Sequence, residues 1–150
     1  MFRIATAMRI VLVAVFMLLP AQILAQEAPP KGEDPAVLEW QGAITSQIEA
    51  FRRGDGPAAL SLAGNMFQES YLDPAHFMSD IARIGYQPIF DSVSHSFGVY
   101  RREGGNMVQQ LVKLTGPDHR LYEAVYAMVA EPDGWRVHGV MLRQTPGIAI

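Results

Sequence analysis

Histidine is the residue type in this sequence best suited to acid–base chemistry or to binding a metal ion. The four histidines are His76, His95, His119 and His138. They lie far apart, and no two have the four-residue spacing by which one helix presents two ligands to zinc. Cysteine is absent, which excludes thiolate ligands, thiol nucleophiles and disulfides. The sequence therefore predicts no metal site and no cofactor.

A serine–histidine pairing occurs in the stretch Ser94–Ser96, where His95 stands between two serines. Neighbouring residues of a strand point to opposite faces, so His95 is badly placed to activate either serine. The sequence also lacks the G-x-S-x-G turn that presents a nucleophilic serine, and Gly104-Gly105 is typical of a hairpin turn rather than a phosphate-binding loop. These observations disfavour nucleophilic catalysis.

Two carboxylates, Asp80 and Asp91, are the nearest candidates for proton transfer. Such chemistry needs a carboxyl group or a histidine inside an apolar pocket, where burial raises a carboxyl pKa. For Asp80 the alternative is a solvated helix face, and for Asp91 it is a turn contact at the start of a strand. Asp34 and Asp73 precede prolines and are better explained as helix N-caps.

The N-terminal segment 1–25 has the three parts of a secretory signal peptide. Arg3 and Arg9 supply a positive start, residues 10–19 are wholly apolar, and Ala25 offers a small residue for cleavage. The apolar run is shorter than the roughly 20 residues of a membrane-spanning helix. We expect cleavage of residues 1–25 and a periplasmic or secreted protein with no stable membrane insertion; an uncleaved anchor is the alternative.

The chain after this segment is mildly acidic. Cleavage removes two arginines and no acid, so the exported chain is more acidic than the formal net charge of −3 of the full sequence. No segment of it concentrates lysine and arginine, which predicts no nucleic-acid partner. Residues 26–36 are polar and contain prolines, as in a disordered leader. We predict a single domain at residues 37–145 and a short tail at residues 146–150.

Three amphipathic helices are predicted in the first half of that domain. The first runs from Val37 to Phe51, with apolar residues at three- and four-residue spacing. The second opens at Pro57, and the third runs from Pro74 to Gly85, which is a natural terminator.

After Gly85 the apolar period changes from helical to two, which is typical of strands. About four antiparallel strands are predicted, separated by turns at residues 103–106, 116–119 and 132–134. Helices that precede a strand meander indicate an α+β domain, with the three helices packed on one face of a curved sheet.

Four segments of the domain resemble one known family. They are "AITSQIEAFRRGD", "FMSDIARIGYQPI", "YEAVYAM" and "DGWRVHGVML". They resemble the bacterial family named domain of unknown function 4864, within the nuclear-transport-factor-2-like superfamily, over residues 38–143. The resemblance implies the cone fold, a pocket between helices and sheet, and often a dimer through the outer sheet face. It implies no reaction, because this superfamily includes isomerases, dehydratases and plain binding modules.

The last two predicted strands are apolar on both faces, so the face away from the helices also needs a cover. We predict a type I turn followed by a left-handed glycine at residues 132–134, a register that places Trp135 and His138 on opposite faces. The family resemblance implies that the Trp135 face packs against the helices, which leaves a homodimer interface on the outer face, formed by Tyr126, Met128, His138, Val140 and Leu142. A one-residue shift would reverse the two faces.

His138 has three open interpretations: an interface or structural histidine, a ligand contact, or a catalytic residue. In the interface interpretation it lies near its own symmetry mate across a two-fold axis. Protonation of both histidines would then weaken the dimer as the pH falls.

Gln110 alternates with valines and leucines in residues 108–114, so its amide is predicted to point inward. A buried amide needs partners, which are a backbone group, a water molecule or the polar group of a ligand. Tyr86 and Trp40 are its candidate neighbours in a ligand site, although aromatic residues on core-facing stripes more often serve packing.

We expect an exported, non-catalytic module that binds a small apolar molecule or a protein partner. The first alternative is an isomerase or dehydratase that uses a buried carboxylate or histidine. The second is a structural homodimer without a small ligand. The pocket distinguishes them: an enzyme needs a perturbed ionisable group, a binding module has neutral polar groups, and a structural dimer fills the pocket with its own side chains.

Overall fold

The computed structural model describes residues 34–148, and in that range five helices precede four strands. The helices are α1 (Pro35–Arg53), α2 (Gly56–Ser61), α3 (Asn65–Ser70), α4 (Pro74–Ile81) and α5 (Gln87–Asp91). The strands are β1 (Ser94–Arg102), β2 (Met107–Thr115), β3 (Arg120–Glu131) and β4 (Gly134–Ile148). The predicted signal peptide and most of the predicted leader lie outside the described residues. None of the described helices combines the length and the apolar character needed to cross a bilayer.

Aspartate side chains start three of these helices. Asp34, Asp55 and Asp73 each accept a hydrogen bond from a backbone N–H in the first turn of α1, α2 and α4, at 3.0, 3.1 and 2.9 Å. A proline follows each aspartate within two residues, and its fixed φ and missing N–H suit the first helical turn. The predicted N-caps at Asp34 and Asp73 are confirmed.

The second predicted helix is interrupted because its middle is attached to the edge of the sheet. Ala63 forms a parallel bridge with Val137 of β4. The Gly64 N–H donates to the Val137 carbonyl at 2.9 Å, and the Val137 N–H donates to the Leu62 carbonyl at 2.8 Å. These backbone groups cannot also serve a continuous helix, so the segment divides into α2 and α3.

The third predicted helix bends at its predicted end instead of stopping there. α4 continues into a turn of π-helix, Ala82–Tyr86, in which Gly85 adopts φ = +117°. That conformation favours glycine and produces the bend into α5, which carries Pro88 in its first turn. The sequence predicts extended chain after Gly85, and this expectation is wrong for α5.

The four strands form one antiparallel sheet in the order β1-β2-β3-β4. One face, the inner face, carries buried residues that pack against the helices. Its core residues are Val108, Val112, Leu114, Ala124, Tyr126, Met128, Trp135 and Val137. The helices contribute Trp40, Ile44 and Ile48 of α1, Phe77 of α4 and Ile89 of α5. The predicted α+β class, with helices before a four-stranded antiparallel sheet, is confirmed.

The β3–β4 hairpin differs from the predicted one at its turn and at a bulge. Glu131 pairs with Gly134, so the turn has two residues where the sequence predicts a longer one. The register then shifts at His138, an extra residue in β4, and Tyr126 pairs with Val140 as predicted. The shorter turn and the bulge offset each other, so the pairing is as predicted in the middle of the hairpin and wrong near its turn.

The bulge also overturns the predicted outer face. Val137 faces the helices before the bulge, and Val140 and Leu142 face them after it, because the extra residue changes which positions point inward. Tyr126 and Met128 are fully buried on the same inner face. The placement of these residues on an outer dimer surface is therefore wrong for Tyr126, Met128, Val140 and Leu142.

Trp135 is a determinant of stability in this core, because it is 8% exposed and packs edge-to-face on Trp40 with ring centroids 5.2 Å apart. We predict that Trp135→Ala lowers the free energy of unfolding by roughly 3–5 kcal/mol, since it empties a core position. Urea denaturation followed by circular dichroism measures the loss. Met66→Ala, at a position of α3 that is 74% exposed, is the control, and similar small effects of both substitutions would contradict a core role for Trp135.

Candidate functional site

A cavity of about 190 Å³ lies between the helices and the edge strand β4. Residues from α1, α3, α4, α5 and the bulged part of β4 line it. Its apolar lining residues include Phe51, Phe67, Phe77, Ile89, Val137 and Val140. The cavity lies where the family resemblance implies a pocket, between the helices and the sheet.

Among residues 34–148 the lining is largely apolar. Within that range Tyr86 is its only ionisable residue, and Gln47 supplies the other polar side chain. No carboxylate, histidine, lysine or arginine of these residues lines the cavity. The same range contains no cluster of three or more histidine, aspartate or glutamate side chains suited to a metal ion. The described lining thus has no carboxylate or histidine for proton transfer.

Gln47 is held firmly within the buried stripe of α1, where it is 2% exposed. Its amide nitrogen donates to the carbonyl oxygen of Ala59 in α2 at 3.0 Å. This bond identifies the two ends of the amide, because a carbonyl oxygen can only accept and therefore faces the amide nitrogen. No described residue donates to Gln47 Oε1, so this oxygen is an acceptor that the lining residue has left for a ligand.

Tyr86 is the one predicted ligand contact that lines the cavity. Its hydroxyl donates to the carbonyl oxygen of Val140 on the edge strand. The bond uses the hydroxyl hydrogen, so the oxygen lone pairs remain available to a ligand. The bend at Gly85 immediately precedes Tyr86 and positions it against β4.

Gln110 and Trp40, the other two predicted ligand contacts, are fully buried and do not line the cavity. The Trp40 indole N–H donates to Gln110 Oε1 at 3.0 Å, and Gln41 donates to the same oxygen at 3.2 Å. The Gln110 amide nitrogen donates to the carbonyl oxygens of Gly98 and Leu111, each at 2.9 Å. The inward amide is present, but its partners are protein groups that connect α1, β1 and β2, so its role is structural.

His95 points inward from β1 and is hydrogen-bonded to α1. Arg52 Nη2 lies 3.4 Å from His95 Nδ1, and Thr45 Oγ1 lies 3.0 Å from His95 Nε2. A guanidinium only donates, so Nδ1 accepts and Nε2 carries the proton that it donates to Thr45. Burial and the Arg52 charge lower the His95 pKa. This neutral histidine has no free lone pair, and it cannot serve as a base toward Thr45.

His138 pairs with a carboxylate of its own chain. Its Nε2 lies 2.7 Å from Oε1 of Glu131, which also accepts from the Asn65 backbone N–H at 3.1 Å. Gly64 packs on the imidazole, and a Cβ added there would lie 2.6 Å from Nε2. These contacts attach the start of α3 to the β3–β4 hairpin. They support the structural interpretation of His138.

The Glu131 partner also changes the effect expected of His138 protonation. Burial raises the pKa of Glu131, but hydrogen bonds from Asn65 and His138 outweigh it and hold this pKa below its usual range. An ionised carboxylate of the same chain therefore lies beside the imidazole of His138. The predicted repulsion in a dimer assumes two His138 side chains without such a partner.

The two carboxylates considered for proton transfer lie outside the cavity. Asp80 accepts from Arg83 at 2.8 Å and from the Tyr71 hydroxyl at 3.1 Å, and these bonds lower the Asp80 pKa. A buried proton donor needs the opposite shift. Asp91 is exposed and accepts from Gln87 within α5 at 2.9 Å.

Sequence reasoning missed Gln47, although a signal for it exists. Gln47 falls between Ile44 and Phe51 on the apolar stripe of α1, where a polar residue is an exception. The same kind of exception singles out Gln110 on its strand. Only the three-dimensional contacts show that Gln47 keeps a free acceptor and that Gln110 does not.

The tertiary structure has the nuclear-transport-factor-2-like fold. A nuclear-transport-factor-2-like protein of unknown function from Silicibacter pomeroyi is similar to it, with a TM-score of 0.50 and 12% identity, over 73% of this chain and 95% of that chain. A domain of unknown function with a cystatin-like fold from Nostoc punctiforme has a TM-score of 0.53 and 12% identity, over 76% and 78% of the two chains. At such identities the likeness shows the fold alone.

The chain belongs to the family described as Domain of unknown function (DUF4864), whose model matches residues 33–150. The family resemblance found in the sequence is therefore confirmed. No curated protein matches the chain.

The lowered His95 pKa predicts that stability depends on pH. Unfolded histidine titrates near pH 6.5, so the stabilisation from neutral His95 is present above that pH and is lost as the pH falls toward the lower folded value. We expect the melting temperature to drop between about pH 7.5 and about pH 5. His95→Gln, which can form both hydrogen bonds without titrating, should reduce the drop, whereas His76→Gln on an exposed helix position should not. Equal drops in wild type and His95→Gln would contradict this role.

Tyr126 carries the only fully enclosed side-chain polar atom in the described part of the chain without a hydrogen-bond partner. Burial raises the pKa of its hydroxyl, which therefore stays neutral. Because an unpaired buried hydroxyl is unfavourable, Tyr126→Phe should raise the free energy of unfolding by roughly 1 kcal/mol. Chemical denaturation measures the change, with Tyr122→Phe at a partly exposed position as the control. A clear loss of stability would mean that the Tyr126 hydroxyl has a bonding partner in solution.

Proposed function

We propose that this protein is an exported, non-catalytic module that binds a small apolar molecule in the cavity between its helices and its sheet. The observation that carries the proposal is the cavity of about 190 Å³, with an apolar lining and two neutral polar side chains. Ligand pockets characteristically combine an apolar lining with a few polar groups that orient the ligand. Export to the periplasm or medium rests on the signal-peptide pattern of residues 1–25.

The size and access of the cavity support a small ligand. An apolar cavity of about 150 Å³ in an engineered protein stays dry and binds benzene. Ile84 lines the present cavity and is 60% exposed, which places its side chain at the opening to solvent. Burial of a ligand ring would remove apolar surface from water on both the ring and the lining, which is the main driving force for such binding.

An isomerase or dehydratase is the less favoured function. These reactions need an acid or a base that contacts the reacting atoms. The described lining has no carboxylate or histidine, and the hydroxyl hydrogen of its tyrosine, Tyr86, is bonded to the Val140 carbonyl oxygen. Asp80, His95 and His138 are each engaged elsewhere by protein groups. A binding function requires no such group, so the composition of the cavity favours it.

We also propose a homodimer, formed by the outer face of the sheet and not by the four inner-face residues. The central outer-face residues are apolar: Leu111 of β2, Val125, Ala127 and Val129 of β3, and Met141 of β4. Met141 is 72% exposed, and the ion pair between Arg143 and Glu123 borders this surface. A second copy related by a two-fold axis would cover the same residues on both chains.

Native mass spectrometry of the exported protein tests both proposals in one measurement. We expect a two-subunit mass and a co-purified small molecule that denaturation releases. Val140→Phe narrows the cavity and should lose the added mass while it keeps the dimer. Val125→Asp places a charge on the outer face and should lose the dimer while it keeps the added mass.

Two results would count against these proposals separately. A protein that carries no added mass, and that also binds none of a set of small apolar compounds, would reject the ligand proposal. A wild-type monomer at micromolar concentration would reject the dimer and leave the ligand proposal standing.

A further inference from the structure

We infer that the ligand is a small neutral molecule that donates a hydrogen bond, of the phenol or alcohol class, and that Gln47 and Tyr86 select it. This ligand class rests on the proposed binding function. It follows from three properties of the cavity: the kind of polar atom presented, the absence of charge in the described lining, and the volume.

Gln47 presents an acceptor and one remaining N–H. One Nε2 hydrogen is committed to the Ala59 carbonyl oxygen at 3.0 Å, and rotation of the amide by half a turn would place oxygen against oxygen there. The orientation is therefore fixed by a partner that can only accept. What remains for a ligand is Oε1, which has two lone pairs, and the second Nε2 hydrogen, to which no described residue is hydrogen-bonded.

Tyr86 presents an acceptor for a similar reason. A free tyrosine hydroxyl can donate or accept, but here its hydrogen is bonded to the Val140 carbonyl oxygen. A ligand that only accepts, such as an ether or a ketone, can pair with the second Nε2 hydrogen of Gln47 but leaves both the Gln47 and the Tyr86 oxygens without a donor. A ligand hydroxyl can donate to either oxygen and can also accept from that N–H, so a hydroxyl is favoured over an acceptor of the same shape.

The absence of charged side chains from the described lining excludes ionic ligands. A carboxylate ligand would be buried without a cation among the described lining residues, and an ammonium ligand would be buried without an anion. Burial of an unpaired charge is strongly unfavourable. The donor is therefore carried by a neutral group.

The volume and shape of the cavity favour a single ring. About 190 Å³ exceeds the roughly 150 Å³ that suffices for benzene, which leaves room for one or two small substituents. Phe51, Phe67 and Phe77 all line the cavity, with the Phe51 and Phe77 rings 6.1 Å apart and the Phe67 and Phe77 rings 6.3 Å apart. These rings offer both faces and edges to a planar ligand.

Four compounds of similar shape test the effects of a donor, an acceptor and a charge on binding separately. p-Cresol carries a neutral donor, toluene lacks the hydroxyl, 4-methylanisole carries only an acceptor, and p-toluate carries a negative charge. Dissociation constants are measured on the exported protein by titration followed with methyl-region NMR. We expect p-cresol to bind roughly three- to tenfold tighter than toluene, which corresponds to one neutral hydrogen bond. 4-Methylanisole should bind more weakly than p-cresol, because it cannot donate to either oxygen, and p-toluate should not bind detectably.

The variants Gln47→Met and Tyr86→Phe remove one acceptor each and keep a similar side-chain volume. At least one of them should reduce the ratio of p-cresol to toluene affinity toward one while it still binds toluene. Gln109→Met, on the outer face of β2, is the matched control and should leave the ratio unchanged. Each variant breaks a different internal hydrogen bond, so if one of them does not fold, the other can still be measured.

The outcomes distinguish the ligand class from the binding function. If none of the four compounds binds, the proposed binding function itself fails. If toluene or 4-methylanisole binds as tightly as p-cresol, or if both acceptor variants keep the wild-type ratio, the cavity binds apolar molecules without selecting a donor and the inferred ligand class is wrong.

Discussion

The extra residue at the bulge in β4 determines how this strand faces the helices. A regular strand alternates its side chains, so a strand that turned Trp135 and Val137 inward would turn Val140 and Leu142 outward. The insertion of His138 changes this parity and lets both halves of β4 contribute to one core. The bulge also places Val137 and Val140 in the wall of the cavity. Core and cavity thus depend on the same irregularity.

The bulge has a consequence for the helical layer as well. Edge strands need a cover for their unpaired backbone groups, and the segment Leu62–Gly64 supplies one at Val137. The close approach of this segment leaves no room for a Cβ at Gly64, because the His138 ring packs against it. Glu131 then accepts from both His138 and the start of α3. The helical layer is therefore divided into short helices with separate attachments, and the cavity lies between them.

The sequence predicts those features that depend on local patterns and misses those that depend on distant contacts. The aspartate–proline caps, the buried stripe of α1 and the order of helices and strands follow from spacing and residue type. The division of the second helix does not, because its cause is a hydrogen-bonded contact with Val137, far along the chain. The prediction of which β4 residues face the helices is wrong for a related reason. A strand that is apolar at nearly every position gives no sign of where the alternation of its side chains changes. His138, an exception in an apolar run, marks that point, and its role becomes clear only with Glu131 and Gly64 beside it.

The same limit applies to the polar residues of the core. Gln47 and Gln110 are both amides in apolar surroundings, and sequence alone cannot separate them. Gln110 has protein partners for its oxygen and its nitrogen, so it connects the elements around it and has nothing left for a ligand. Gln47 has one of its two N–H groups committed, and no described residue donates to its oxygen. Tyr86 has its one hydrogen committed and its lone pairs free. In both lining residues a donor is used by a backbone carbonyl of a neighbouring element, so the bonds that hold α1 to α2 and the turn after Gly85 to β4 also fix the orientation of both acceptor oxygens.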